Sequence, residues 1–160
     1  MALLMNLPGV IGEGTVDGHV GWLPLASFTW GGTRVSRGMS AGSHSSATRV
    51  WTPQLRPATV SRKADARSAM IWTAMITGLE FPMVKLEWLR TGQGSPICYF
   101  AIEFRGVRVA RVSDNSQGEH PIETMDLIYR EITLGVRDIG NTLSGSQDLV
   151  TYQIPQHTGG

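Results

Sequence analysis

Two groups of residues have the types that could do chemistry. Gly9, Gly12 and Gly14 give the glycine density of a phosphate-binding loop. No Gly-Lys-Ser/Thr follows them, however, and no predicted helix begins there to hold an anion. Ser43 precedes His44 in a stretch of small polar residues, whereas a nucleophilic serine needs a rigid elbow and an orienting carboxylate. The glycines are therefore interpreted as turns between strands, and hydrolysis is not predicted.

Metal and thiol chemistry are not predicted either. The histidines all fall in expected loops or termini, without a pair at helical spacing: His19, His44, His120 and His157. Cys98 is the only cysteine, which excludes an internal disulfide, and its apolar neighbours predict a small buried hydrophobe. We expect no catalytic residue, no cofactor and no metal, and so a protein that is not an enzyme.

The charged residues do not form a motif. Glu119 and Glu123 lie beside a predicted turn, where solvated carboxylates are ordinary. Strand alternation puts Arg105 and Arg111 on one face and Arg108 on the other, which divides this basic group. The net charge is only +1. Neither nucleic acid nor an anionic membrane is an expected partner.

Length and composition bound the class of protein. The chain of 160 residues is 41% hydrophobic and 17% charged, which predicts one globular domain over residues 1–160. Residues 1–5 lack the basic start of a signal peptide and are interpreted as a strand. No apolar stretch has the length of a membrane span.

The elements that would position these residues are mostly strands. Apolar and polar residues alternate with a period of two, chiefly over residues 23–30, 84–90, 97–112, 122–134 and 150–154. A helix is predicted over residues 66–77, with Asp65 as N-cap and Gly78 as the left-handed stop. Residues 31–48 are rich in Gly, Ser and Thr and predict a flexible loop. The fold class is mainly β, an antiparallel barrel or sandwich with one helix.

The predicted helix has almost no polar face. Seven of the eight residues over 69–76 are apolar, and no charge occurs between Arg67 and Glu80. A helix on the surface of a lone domain has one apolar stripe and one polar face. Either the helix is threaded through the domain centre, or one face packs on the barrel and the other meets a second chain. We favour self-association, because a small barrel has little room inside for a helix.

Several segments, taken in order, resemble the Hcp family, the ring-forming tube subunit of type VI secretion machines. They are residues 7–14 (Leu-Pro-Gly-Val-Ile-Gly-Glu-Gly), 25–31, 65–68 (Asp-Ala-Arg-Ser), 84–90, 99–112 and 123–138, the last being similar to the family's long penultimate strand. Three departures are visible. Gly14 replaces the usual Ser, Val136 stands where Tyr is common, and the closing strand has Tyr152 instead of a Trp.

The resemblance implies a fold and an assembly. The fold is a β-barrel of two packed sheets with one flanking α-helix, related to phage tail tubes. Six copies close into a ring, and rings stack into a tube inside a contractile sheath, capped by a spike protein. Effectors bind in the lumen. The protein is assembled in the bacterial cytoplasm and reaches the medium or a target cell without a signal peptide.

Mapped onto this sequence, the resemblance gives candidate residues. Ser27 and Thr29 are expected to face the lumen and contact effectors, because a channel needs small hydrated side chains. Met70, Trp72 and Met75, on the apolar helix, are expected to contribute to barrel packing and to the subunit interface.

Ring-to-ring stacking is assigned to the predicted loop over residues 31–48. Its candidates are Arg34, Arg37 and His44, since flexible Gly/Ser segments can order on contact. Two other functions stay open. One is a monomeric β-barrel module that holds a ligand in its own interior, and the other is a phage-like tail tube protein. An enzyme domain fused to a tube scaffold would need additional chain length.

Overall fold

The computed structural model describes residues 1–34, 53–90, 94–137 and 147–153. Its strands are β1 (Ala2–Asn6), β2 (Leu23–Pro24), β3 (Ser27–Thr29), β4 (Gly32–Thr33), β5 (Gln54–Leu55), β6 (Ala58–Lys63), β7 (Glu80–Arg90), β8 (Ile97–Asn115), β9 (Ile122–Ile128), β10 (Glu131–Arg137) and β11 (Gln147–Gln153). The helix is α1 (Ser68–Thr77). Strand alternation in the sequence therefore predicted most of these elements. The first residues of the predicted loop form β4, which pairs with β5, and the rest of that loop lies outside the described residues.

Nine of the strands form one antiparallel sheet. Its main path runs β2-β1-β7-β8-β9-β6-β3, and β10 extends it by pairing with β8 and β11. The strands β9 and β10 follow the same edge of β8, with Ile128 opposite Arg108 and Glu131 opposite Arg105. The predicted strand over 123–138 is therefore divided in two.

The break in that strand lies opposite Gly106. This glycine has a φ of +61°, which side-chain-bearing residues rarely adopt. A Cβ placed there would lie 2.9 Å from the Arg130 side chain. The Arg130 guanidinium reaches Glu80 at 2.9 Å. The bend allows β8 to take part in two layers of the fold.

The two ends of the sheet path belong to one segment, residues 23–29. Within it, the Leu25 N–H donates to the Leu3 carbonyl at 2.9 Å, and the Ala26 N–H donates to the Ser61 carbonyl at 2.7 Å. We call residues 23–29 the seam. Strand pairing is not continuous across the seam, but the segment bridges both edges and gives the fold its barrel shape. The predicted fold class, a β-barrel of two packed sheets with one flanking helix, is confirmed.

Apolar side chains from both layers fill the interior as one cluster. Its central members are Met5, Leu23, Val60, Leu86, Ile102, Phe104, Met125 and Leu127, each no more than 1% exposed. The Phe28 and Trp88 rings meet edge to face across the layers at 5.1 Å between centroids. The interior is thus a packed core.

The helix lies on the outside of this core. Only Ile71 and Ala74 of α1 are buried, so the interpretation of a helix threaded through the domain centre is wrong. Gly78 ends α1 with a φ of +67°, as predicted. The N-cap is Arg67, not Asp65. The Asp65 carboxylate instead accepts the Arg67 N–H at 2.8 Å and so caps the turn before α1.

The glycines near the N-terminus pack against a returning loop. The Gly14 N–H donates to the Trp22 carbonyl at 2.8 Å. A Cβ on Gly14 would lie 2.7 Å from that carbonyl oxygen, and one on Gly12 would lie 2.5 Å from it. Glycine is required at both positions for close backbone approach. The departure from the usual Ser at residue 14 therefore has a local steric reason.

Candidate functional site

Small hydroxyl side chains cover the outward side of β3, β6, β9 and the end of β8. Cross-strand pairing aligns them in two rows, Ser27-Ser61-Thr124-Ser113 and Thr29-Thr59-Asp126-Arg111. We call the six hydroxyl residues in these rows the hydroxyl face. Between the rows, Phe28, Val60 and Met125 point into the core. Strict alternation along each strand therefore keeps the hydroxyl face in solvent.

The predicted pair Ser27 and Thr29 lies together on this face. Both are exposed, at the start and end of β3. The Ser27 and Ser61 hydroxyl oxygens are 2.5 Å apart. The Thr59 hydroxyl donates to the Asp126 carboxylate at 2.7 Å. The hydroxyl face itself thus carries small, uncharged side chains, and Asp126 and Arg111 end its second row.

Three arginines on β8 all point outward from the barrel, Arg105 from one layer and Arg108 and Arg111 from the other. Arg105, Arg108 and Arg111 are all exposed. The expectation that Arg108 lies on the opposite face is wrong, because β8 has an irregular residue at Gly106 and a register shift between Val109 and Arg111. Each irregularity resets the alternation that the sequence-based prediction assumed to be continuous.

The outward side of α1 is a second unusual surface. Met70 is 49% exposed, Ile76 is 73% exposed and Leu79, just after the helix, is 52% exposed. We call these three residues the helix face. The Thr73 and Thr77 hydroxyls bond back to helix carbonyls at 2.7 and 2.8 Å. Their polar groups are satisfied locally, so this side of α1 is largely apolar.

The three predicted interface residues take different positions. Met70 faces solvent, whereas Trp72 and Met75 are half-buried and pack against the core. The Trp72 indole N–H donates to the Asp114 carboxylate on β8 at 2.9 Å. Ile76 and Leu79 were missed among the candidates. On a helical wheel Ile76 lies opposite Ile71 and Ala74, whereas Leu79 follows the end of α1.

A buried charge network holds the start of α1 to the sheet. The Arg62 guanidinium contacts the Glu123 carboxylate at 2.6 Å and the Asp65 carboxylate at 2.5 Å. Side-chain exposure is 2% for Arg62 and 0% for Glu123. The expectation of a solvated Glu123 is wrong, because this residue shares the inward side of β9 with Met125 and pairs with Arg62 across the strands.

This network shifts two pKa values. Burial alone would raise the pKa of the Asp65 carboxyl, but hydrogen bonds from Arg62 and from the Arg67 N–H outweigh it and hold that pKa below its ordinary value of 3.8. Burial would lower the pKa of Arg62, but its two carboxylate partners raise it instead. Both groups stay charged at neutral pH.

The other outward side of the sheet carries paired charges. The Glu103 carboxylate lies 2.8 Å from Arg105, and the Glu87 carboxylate lies 2.5 Å from the His19 ring. Beside them, an open groove of about 170 Å³ has Ala101 and Gly135 among its lining residues.

Cys98 is half-buried, contrary to the expected full burial, with its thiol 3.3 Å from the Phe100 carbonyl.

Of the three ring-stacking candidates, only Arg34 lies among the described residues. Arg34 is exposed, just after β4. Arg37 and His44 lie outside the described residues.

Within the described ranges, no group of three or more His, Cys, Asp or Glu side chains is arranged to hold a metal ion. In the same part of the chain, no helix combines the length and hydropathy needed to cross a membrane.

These features agree with a known family. The family model for the type VI secretion system effector, Hcp, matches residues 4–135. The chain belongs to the Hcp family. The resemblance inferred from the sequence is confirmed, and the protein is a tube protein of the type VI secretion system. No curated protein matches this Hcp sequence.

Solved structures share the fold at low sequence identity. One, described as a type six secretion system protein, is 23% identical with a TM-score of 0.82, over 96% of this chain and 95% of the other. Hcp1 from Salmonella typhimurium is 20% identical with a TM-score of 0.75, and the match covers 95% of this chain and 93% of that one. A type VI secretion system effector from Yersinia pestis is 14% identical with a TM-score of 0.73, and the match covers 95% of this chain and 99% of that one.

Proposed function

We propose that this Hcp protein is a structural subunit that closes into homo-hexameric rings, which stack into the ejected tube and carry effectors in the lumen. The observation that carries this proposal is the helix face. Met70, Ile76 and Leu79 are each about half exposed or more in the single chain. Fully burying one such side chain stabilises a contact by roughly 1.5–3 kcal/mol.

A ring is the assembly that fits this surface. Membership of the Hcp family favours a ring over a two-fold dimer, in which the helix face would pair with its own copy. A contact between two different surfaces generates a closed ring when the rotation between copies closes. We propose that α1 of one subunit packs on the barrel of the next, with Met70 in the contact and with Trp72 and Met75 supporting it from the core side.

The hydroxyl face is proposed to line the lumen. Ser27 and Thr29 would then be the effector-contacting residues at its edge. Small hydroxyl groups keep a channel hydrated and leave space for a passing protein. Support comes from the continuity of the two rows over β3, β6, β9 and β8.

The rest of the proposal follows the family. The chain acts as one domain over residues 1–160, with Arg34, Arg37 and His44 in ring stacking. Its further partners are the sheath, the spike protein and secreted effectors. It has no catalytic role. It is assembled in the bacterial cytoplasm and leaves the cell through the machine.

Size-exclusion chromatography with light scattering tests the ring. We expect a mass of about six subunits for the wild type, and a monomer for the double variant Met70→Glu/Ile76→Glu, because charges cannot be buried unpaired in an apolar contact. The control is Val20→Glu, which adds a charge at a side chain that is 77% exposed outside α1. This control should keep the ring, and circular dichroism should show that all variants fold.

Two results would contradict the proposal. One is a wild-type protein that stays monomeric at high concentration, which would favour a monomeric barrel module. The packed interior of the barrel already argues against an enclosed ligand. The other is a ring that persists in the Met70→Glu/Ile76→Glu and Trp72→Glu proteins, which would place the subunit contact elsewhere.

A further inference from the structure

The outward surface that carries the hydroxyl face has an excess of positive charge. Strand register places Lys63, Arg108 and Arg111 on this side, with Asp126 as the carboxylate opposite Arg111. Glu80 lies opposite Arg108, but its carboxylate is 2.9 Å from Arg130, and that pair is neutral. Three cations therefore face one remaining carboxylate.

The three cations have no anionic partner among the residues that the structure describes. Among the described residues, no carboxylate lies within 4.0 Å of the charged atoms of Lys63, Arg108 or Arg111. The Asp126 carboxylate, although opposite Arg111, accepts the Thr59 hydroxyl at 2.7 Å. The other outward side differs, because there Arg105 lies 2.8 Å from Glu103 and 4.0 Å from Glu131. The side that carries the hydroxyl face therefore holds three cations that have no ion pair with any described carboxylate.

Apolar contacts lie beside these charges. Ile122 is 41% exposed and Ile128 is 42% exposed, each in register with one of the cations or next to it. An open groove of about 360 Å³, lined in part by Ile122, Thr124 and His120, lies where β8 connects to β9. The surface thus offers cations, hydroxyl donors and apolar side chains at separations fixed by strand pairing.

We propose that this surface selects acidic polypeptide segments, with Arg108 and Arg111 as the charge-reading residues and Lys63 in support. This specificity rests on the proposed function, since it names the chemical class of cargo that the lumen accepts. In a ring, copies of the surface would face one axis, so the positive potentials would add in a partly enclosed space. Complementary charge raises the rate of encounter and rejects partners of like charge.

A polypeptide fits better than a nucleic acid. The outward positions of β3, β6, β9 and the second half of β8 carry no aromatic side chain in the described residues, whereas single-stranded nucleic acid is bound by stacking on aromatic rings. Exposed isoleucines suit apolar side chains that alternate with acidic ones.

Fluorescence anisotropy with three labelled probes tests the selection. The probes are a decapeptide of alternating Glu and Leu, the same peptide with Gln for Glu, and a ten-nucleotide oligothymidylate. We expect the acidic peptide to bind wild-type protein about tenfold more tightly than the Gln peptide at low salt, with a difference that shrinks at high salt. The double variant Arg108→Gln/Arg111→Gln should lose this roughly tenfold preference for the acidic peptide. Lys85→Gln/Arg90→Gln, which removes two charges elsewhere, should not.

Light scattering on each variant separates this specificity from ring formation. If the double arginine variant keeps the ring and loses the preference for Glu, the proposal is supported. A wild-type monomer that still prefers the Glu peptide would overturn the ring and leave the charge selection standing. Equal binding of the two peptides, tighter binding of oligothymidylate, or an unchanged preference in the arginine variant would each overturn the selection.

Discussion

Arg62 on β6 and Glu123 on β9 form an ion pair in the interior, with 2.6 Å between guanidinium nitrogen and carboxylate oxygen. Arg62 also holds the Asp65 carboxylate that precedes α1. One buried cation therefore links two strands to the start of the helix. Because the helix face depends on how α1 sits on the sheet, this pair is a support for the proposed subunit contact.

Glu123→Ala should destabilise the fold strongly. The change leaves the Arg62 charge buried with only Asp65 to balance it, which costs about 3–5 kcal/mol. Urea denaturation at fixed protein concentration measures the difference. Glu119→Ala, an exposed neighbour in sequence, is the control and should change little. A Glu123→Ala protein as stable as the control would show that the pair is dispensable, and Arg62→Met/Glu123→Leu should recover much of the loss.

Asp65→Asn should give a stability loss that depends on pH. The folded pKa of Asp65 lies below its ordinary value of 3.8, so its stabilisation is fully present above the unfolded pKa and is lost as pH falls through the folded pKa. We expect a difference of about 1–2 kcal/mol at pH 7, shrinking below pH of about 4. Unfolding curves from pH 7 to pH 3 test this, with the exposed Asp17→Asn as control. A difference that stays constant with pH would contradict the assigned role.

Gly14→Ser should destabilise the N-terminal loop, although Ser is usual there in the family pattern. The new Cβ would meet the Trp22 carbonyl oxygen at 2.7 Å, and relief requires backbone movement that costs about 1–3 kcal/mol. Thermal unfolding measures the loss. Gly118→Ser serves as the matched control, since a Cβ at Gly118 has nothing within 4 Å. Equal melting temperatures for the two variants would mean that the loop shifts freely.

Thr29→Glu should abolish cargo retention and leave rings intact. The change puts a long anionic side chain at the edge of the hydroxyl face, where it narrows the lumen and repels acidic segments. An effector of the same secretion system, co-expressed with the chain, provides the retention measurement, and light scattering reports the ring. The control is Thr15→Glu in an exposed loop. Unchanged retention in the Thr29→Glu ring would remove Thr29 from the lumen.

Local patterns predicted what depends on near neighbours in sequence. Alternation predicted β7 and β8, and Gly78 predicted the end of α1. The run of apolar residues over 69–76 predicted a helix with almost no polar face. The positions of Ser27 and Thr29 on one exposed face also followed from a period of two. Each of these features is set by backbone geometry within a few residues.

Long-range pairing and backbone irregularities were not predictable. Arg62 and Glu123 are 61 residues apart in sequence, so nothing local distinguishes Glu123 from the solvated Glu119. The bend at Gly106 and the register shift near Arg111 reverse the alternation, which is why Arg108 was assigned to the wrong face. The missed residues Ile76 and Leu79 depend on which side of α1 meets the sheet, and that is decided by tertiary packing.

The seam at residues 23–29 has a consequence for how the protein is made. Its partners are β1 on one side and β6 on the other, and β1 must in turn wait for β7. A ribosome delivers the earliest strands well before the ones they pair with. Because β6 is joined to β7 only through β8 and β9, the barrel stays open until about residue 128 has emerged. Its first thirty or so residues need protection from wrong partners during that interval.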